Sequence, residues 1–251
     1  MPAELSWIVF IAAFALASYY NRQGTAYREE TTVPPAIITA TPSETAGSLT
    51  LPFIHLNLRF NPFGELPLKY RAELAVIDTV PLLAHLDRPG AVLQLLGDKG
   101  RGKTTHLLTI KSCFPDAAYV HFPEGERPPI PAGSPLLLDE AQRIPWWQRR
   151  QLFQFSGPLV LGTHRDFTRQ LQRLGRDVKT IEAGEGTNAA RLDQVFHRRI
   201  EFARRDSGPV PSIPMNTIHH LLAQHGDDLR AMEGHLYERF QELEKPCHVQ
   251  M

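Results

Sequence analysis

Five short apolar runs, each closed by glycine, proline or acidic residues, recur between residues 91 and 183. The first is AVLQLL (91–96), which ends at Gly97. AAYVHF (117–122), LLLDEA (136–141), PLVLGT (158–163) and VKTIEA (178–183) follow. Apolar runs of this length read as buried strands. The stretches between them change character. TTHLLTIKSCF (104–114) is helical and stops before Pro115, and a second helix opens at Pro145 and carries Trp146, Trp147, Leu152 and Phe153. DFTRQLQRLG (166–175) is a third, ended by Gly175. Strands alternating with helices predict an α/β core with a five-stranded, mostly parallel sheet covered on both faces.

Beyond residue 188 the strand pattern gives way to helical spacing. Leu192, Val195, Phe196, Ile200 and Ala203 form one apolar stripe; Ile218, Leu221 and Leu222 form a second. Leu229, Met232, Leu236, Phe240 and Leu243 form a third. The chain therefore divides into a core over 51–187 and a small helical lid over 188–244.

The first fifty residues differ from both. Leu5 to Asn21 (LSWIVFIAAFALASYYN) carries no charge, has aromatic residues near each end, and precedes Arg22 and Arg28. Such a segment, within 1–21, reads as a single-pass transmembrane helix, with positive charge holding the rest of the chain in the cytoplasm. A cleaved signal peptide is the rival, because Ala15-Leu16-Ala17 resembles a cleavage site, although a basic leader is missing. Residues 22–50, rich in Thr, Ser, Pro and Ala, read as a flexible tether.

Charge adds little for the whole chain: 27 Lys and Arg balance 27 Asp and Glu, so net charge gives no argument for nucleic acid. Locally, Arg143 to Arg205 holds twelve Arg and one Lys against six acids, a face that could serve a phosphate-bearing partner. Two cysteines make no disulfide framework and suit a reducing compartment. His219, His220 and His225 lack carboxylate or thiol neighbours at metal-ligand spacing.

Gly97-Asp98-Lys99-Gly100-Arg101-Gly102-Lys103-Thr104 fits the phosphate-loop (Walker A) pattern G-x-x-x-x-G-K-[ST] in full, between an expected strand and an expected helix. Its glycines let backbone N–H groups wrap a phosphate, the helix N-terminus adds positive potential, and Thr105 lies in the first turn. Lys103 would reach the β- and γ-phosphates and Thr104 would bind Mg²⁺. Asp139, at the end of the third run, would help hold the metal, and Glu140 would polarise the attacking water as general base. At the end of the fourth run, Thr163 or His164 could sense the γ-phosphate. The Thr163 hydroxyl could equally cap the following helix, as could Asp166.

Taken together, the phosphate loop, LLLDEAQ, a Thr-bearing fourth strand and a cap containing HGDDLRAMEGHLY resemble an AAA+ ATPase. The likeness is to the branch of origin-recognition, general-secretion A-type and transposition-helper ATPases, and includes Asn61-Pro62-Phe63-Gly64 ahead of the core. It implies ATP rather than GTP as substrate, with Mg²⁺. It also implies that Arg230 reaches the γ-phosphate from the lid, and that an arginine finger is supplied from a neighbour in a homo-oligomer or partner assembly. Arg165, Arg198 and Arg199 are candidates for that finger, with ordinary surface pairing as the alternative for each.

Other nucleotide enzymes fit less well. A two-motor helicase needs more chain, an ABC ATPase needs an LSGGQ-like signature, and a small-molecule kinase has no use for Glu140. A membrane-anchored ATPase that drives or gates a partner assembly is therefore expected. The alternatives are a nucleotide-dependent scaffold or switch with little turnover, or a DNA-associated helper ATPase.

Overall fold

In the computed structural model, residues 52–250 are described. The 5–21 segment and its tether lie outside these residues. Among the described residues no helix is long and apolar enough to cross a membrane.

A 3₁₀ turn at Ile54–Leu56 leads to two helices that the hydrophobic pattern did not single out, α1 (Leu68–Glu73) and α2 (Val80–Leu86). Strand β1 (Ala91–Leu96) then runs into the phosphate loop and α3 (Lys103–Ser112). β2 (Ala118–His121), β3 (Leu136–Asp139), α4 (Trp146–Phe153), β4 (Leu159–Thr163), α5 (Thr168–Gln172) and β5 (Asp177–Glu182) follow. The lid is α6 (Ala189–Ala203), α7 (Met215–His225) and α8 (Leu229–Gln241).

The five strands form one sheet in the order β2-β3-β4-β1-β5, and every pairing is parallel. The central strands β1, β3 and β4 are buried on both faces, which explains their continuous apolar sequence, whereas the edge strand β5 has no buried residue. The two-residue alternation still sorts side chains. Val92, Leu136, Leu138, Leu159 and Leu161 pack beneath Phe153 of α4 and Leu171 of α5. Leu93, Leu95, Leu137 and Val160 pack against Leu82 and Leu86 of α2 and Leu107 and Ile110 of α3.

One buried position in β1 is polar. Gln94 is fully buried, and its amide donates to Asp166 Oδ1 (2.8 Å), Thr180 Oγ1 (3.0 Å) and Thr168 Oγ1 (3.2 Å). Its carbonyl accepts from the Phe167 N–H (2.8 Å). A buried amide is tolerated when its groups are satisfied, and here it ties the exit of β4 to β1 and β5.

The lid has its own core, in which Leu192, Phe196, Ile200, Ile218, Leu221, Met232, Leu236 and Phe240 meet Phe53, Leu56, Leu58 and Phe63 from before the sheet. The Asn-Pro-Phe-Gly segment is what joins them. Asn61 Oδ1 accepts from the Phe63 N–H (3.0 Å), and its amide donates to the Tyr237 carbonyl in α8 (2.9 Å). Arg199 is buried, donates to the carbonyls of Pro62 and Gly64 (2.7 Å each), and pairs with Glu233. Arg199 is thus an internal staple, not a side chain held out toward a neighbour. Asn188 and Asp228 cap α6 and α8 by accepting from Arg191 N (2.9 Å) and Ala231 N (3.1 Å).

Candidate nucleotide site

In open parallel sheets, ligands gather beyond the carboxyl ends of the strands. Here Leu96 pairs with Thr163 and Glu182, and His121 pairs with Asp139, which pairs with Gly162. A cavity of about 1060 Å³ lies over this edge, walled by the phosphate loop, residues 63–77 and the lid.

The loop from Gly97 to Gly102 connects β1 to α3. Gly100 (φ +85°) and Gly102 (φ +82°) take left-handed conformations that cost an L-residue about 1–2 kcal/mol. Asp98 and Lys99 are exposed, while Arg101 turns to the lid and pairs with Asp227. Lys103, in the first turn of α3, is buried, and its ammonium donates to the carbonyls of Gly97 (2.8 Å) and Asp98 (2.7 Å). Burial pulls it below the usual lysine range, against the opposing charge of Glu140, Asp139 and Asp98. Thr105 is half-buried and lines the cavity.

Thr104 and Asp139 meet directly: the Thr104 hydroxyl donates to Asp139 Oδ2 at 2.8 Å. Asp139 is fully buried, and the same oxygen accepts from the Tyr119 hydroxyl (3.0 Å) and faces His121 Nδ1 (3.3 Å). Burial, with the Asp139 charge, pushes the Tyr119 phenol far above its ordinary pKa, so it stays a donor. Room for the carboxylate comes from Gly162 on β4, where an added Cβ would lie 2.8 Å from Asp139 Oδ1.

β3 ends at Asp139, two residues before the end of the LLLDEA run, and Glu140 leaves it at φ +61°, ψ +42°. A non-glycine residue held there costs on the order of 1–3 kcal/mol and is found at functional sites. The Glu140 N–H donates to Asp139 Oδ1 (3.1 Å), which helps hold the turn. Its side chain accepts from Gln142 Nε2 (2.7 Å), lies 3.4 Å from Arg143 and lies 3.4 Å from His164 Nε2. Burial pushes the Glu140 carboxyl up, but the Gln142 hydrogen bond and the charges of Arg143, His164 and Lys103 hold it below the ordinary carboxylate value. A carboxylate held down this way is a weak base until its partners move.

Thr163 and His164 separate at the end of β4. The Thr163 hydroxyl accepts from the Arg165 N–H (2.9 Å) and donates to the Arg165 carbonyl (3.0 Å), closing its own turn. His164 faces the site, with Nε2 3.5 Å from the Lys103 ammonium and 3.4 Å from Glu140. Of the two residues read as alternatives in the sequence, the imidazole is the one set among the site's charged groups. Arg230 is exposed on the lid wall of the cavity, its Cβ near Gly100.

The sequence pattern did not single out Tyr119, His121, Gln142 or Gly162. His121 closes β2 in the same way that Asp139 closes β3, so the strand-end rule applied to every run would have flagged it. Gln142 and Gly162 act through contacts that only the folded chain defines.

A scan against protein-family models and a search of curated proteins give no match to this chain. Fold and site together define an α/β protein with an all-parallel sheet, compatible with a phosphate-loop nucleotide-binding core.

Proposed function

We propose that this protein binds ATP with Mg²⁺ at the β1–α3 loop and hydrolyses it, as an AAA+-like ATPase tethered to a membrane through residues 5–21. The observation that carries the reading is the 2.8 Å hydrogen bond between Thr104 and Asp139, residues far apart in sequence. It joins a phosphate-loop hydroxyl to a buried carboxylate, with Lys103 and Glu140 alongside.

The Thr104 hydroxyl and Asp139 carboxylate would serve a hard divalent cation such as Mg²⁺, which otherwise keeps water or phosphate oxygens. Thr104 would hold it, with Asp139 oriented by Tyr119. When bound it would neutralise charge on the phosphates. Lys103 is placed to exchange the loop carbonyls for phosphate oxygens. Glu140, released from Gln142, would take a proton from the attacking water, with His164, beside Lys103 and Glu140, and Arg230, on the lid wall, as the groups that would meet the terminal phosphate. Apolar groups of Leu66, Ile77, Leu192 and Leu229 in the same cavity offer a surface for a base.

Steady-state ATP hydrolysis by the full chain, measured at several protein concentrations, tests the reading. Lys103→Ala should abolish nucleotide binding, whereas Glu140→Gln should bind nucleotide and lose turnover. Binding by Lys103→Ala at parental affinity overturns the site; parental turnover by Glu140→Gln overturns the role of Glu140. Activity that rises with concentration would indicate that self-assembly completes the site. Absence of turnover despite tight binding selects the switch or scaffold reading.

A DNA-associated helper is the second reading, favoured by α4. Trp146 and Trp147 are 70% and 49% exposed there. Among the described residues, Arg149, Arg150 and Arg165 make no ion pair. Exposed indoles on the same helix as the exposed Arg150 suit stacking on single-stranded nucleic acid. Retention of an oligonucleotide that weakens steeply with salt is expected in that case, and retention absent at low salt rules it out.

A further inference from the structure

Asp139 Oδ2 stands at the centre of three donors, and of these only Thr104 belongs to the phosphate-loop pattern. The Thr104 hydroxyl lies 2.8 Å away, the Tyr119 hydroxyl 3.0 Å and His121 Nδ1 3.3 Å. His121 is placed there by the β2–β3 register, which sets it directly beside Asp139. Its side chain is 46% exposed and lines the cavity, whereas the Asp139 side chain is 1% exposed. The imidazole therefore reaches from the open side of the cavity onto the oxygen that also meets Thr104.

Adjacent donors of an octahedral ion with bonds of about 2.1 Å are about 3.0 Å apart. The Thr104–Asp139 and His121–Asp139 separations of 2.8 and 3.3 Å bracket that edge. We propose that His121 is a nitrogen ligand of the metal site, and that the site accordingly prefers Mn²⁺, or another first-row transition ion, over Mg²⁺. The proposal rests on the nucleotide reading of this same site. Its chemistry is separable: hydroxyl and carboxylate oxygens serve either ion, but an imidazole suits transition ions and is a poor partner for Mg²⁺. Tyr119 complements this role. Its hydroxyl fixes the Asp139 carboxylate by a 3.0 Å hydrogen bond, as an outer partner of a ligand does.

The experiment uses the full chain, labelled with ¹⁵N-histidine, and ADP with Mn²⁺ or Mg²⁺ as probe near pH 7.5. Titration calorimetry gives the affinity for each metal–ADP pair, and pulsed electron paramagnetic resonance of bound Mn²⁺ detects a coordinated histidine nitrogen. The wild-type chain should show histidine-nitrogen coupling and bind Mn²⁺–ADP more tightly than Mg²⁺–ADP. His121→Gln and His121→Asn, with unchanged circular dichroism, should lose the coupling and bring the two affinities together. Nucleotide-dependent Mn²⁺ binding without histidine coupling, or coupling that survives in both variants, overturns the proposal and leaves the nucleotide site standing. No nucleotide-dependent binding of either ion overturns the nucleotide reading itself, and this proposal with it.

Discussion

Replacing Gly100 by alanine should destabilise the folded chain by about 2–3 kcal/mol, through two separable effects. The backbone there sits at φ +85°, which costs an alanine about 1–2 kcal/mol. A Cβ built on Gly100 would also collide with Asp228 Oδ1, lie 3.0 Å from its Cγ and lie 3.3 Å from Arg230 Cβ. The Asp228 carboxylate can swing away only by giving up the Ala231 N–H, its 3.1 Å capping bond, a loss of about 1 kcal/mol. Asp228→Ala alone should likewise cost about 1 kcal/mol. In that background the collision and the cap are already gone, so Gly100→Ala should then cost only its backbone share. The double variant should be about 1 kcal/mol more stable than the sum of the single losses predicts, well outside the ~0.3–0.5 kcal/mol scatter of independent sites. Urea unfolding of the four full-length proteins, followed by circular dichroism with a shared slope, measures this. Additive losses, or a Gly100→Ala loss below about 1 kcal/mol, would refute the seating of the lid on the loop.

Three further outcomes follow from buried groups. Arg199→Met should cost about 3 kcal/mol in thermal unfolding, because it strands Glu233 and two carbonyls; a loss within about 0.5 kcal/mol would mean the staple contributes nothing. His106 is held below its ordinary value of 6.5 by burial, with Arg191 adding to the effect and the Gly102 carbonyl opposing it. The folded state then binds fewer protons than the unfolded one, so its contribution is present above about pH 6.5 and fades as pH falls through the lower folded value. Urea midpoints at about pH 7.5 and about pH 5 should differ less in His106→Gln than in the parent, and an equal drop in both contradicts this. Gln142→Leu removes the interaction that does most to hold the Glu140 carboxyl down, so the acid limb of kcat/KM for ATP should move to higher pH; an unmoved limb in a folded variant excludes Glu140 as the base.

The centre of the sheet was legible because β1, β3 and β4 are buried on both faces, so burial alone writes them into the sequence as apolar runs such as LLLD and LVLGT. Lid helices were legible for the complementary reason, one apolar stripe each. Helices α1 and α2 were not. α1 has no buried residue, and α2 spans seven residues with Leu82 and Leu86 as its buried apolar positions, too short for a period to stand out. At the site, Lys103, Thr104 and Asp139 could be named because a local pattern or a strand end carries each. The choice between Thr163 and His164 could not be made from adjacency: neighbours on a chain leaving a strand point different ways, and only the turn closed on Arg165 turns one hydroxyl inward. Gly162 was invisible for another reason. Its role is to leave space for a carboxylate on a different strand, and absent atoms have no signature in one sequence.

The phosphate loop obeys two requirements at once, and the lid supplies the second. Wrapping a phosphate would explain glycine at the pattern's ends. It does not explain why Gly100, the middle of the loop, has no room for a Cβ, since the obstruction is Asp228 of the lid. The same holds at Gly184, after β5, where an added Cβ would strike Asp227, the residue that pairs with Arg101. Two consecutive aspartates of the lid thus rest on two glycines of the core, and one of them also reaches an arginine inside the loop. A lid seated in this way cannot shift without changing the loop's backbone contacts. Conversely, a loop that rearranges at Gly100 disturbs the seat of Asp228. The start of α8, where Arg230 stands, is therefore mechanically tied to the groups that would hold phosphate. Under the proposed function, motion of the lid would be the route by which occupancy of the site is passed on.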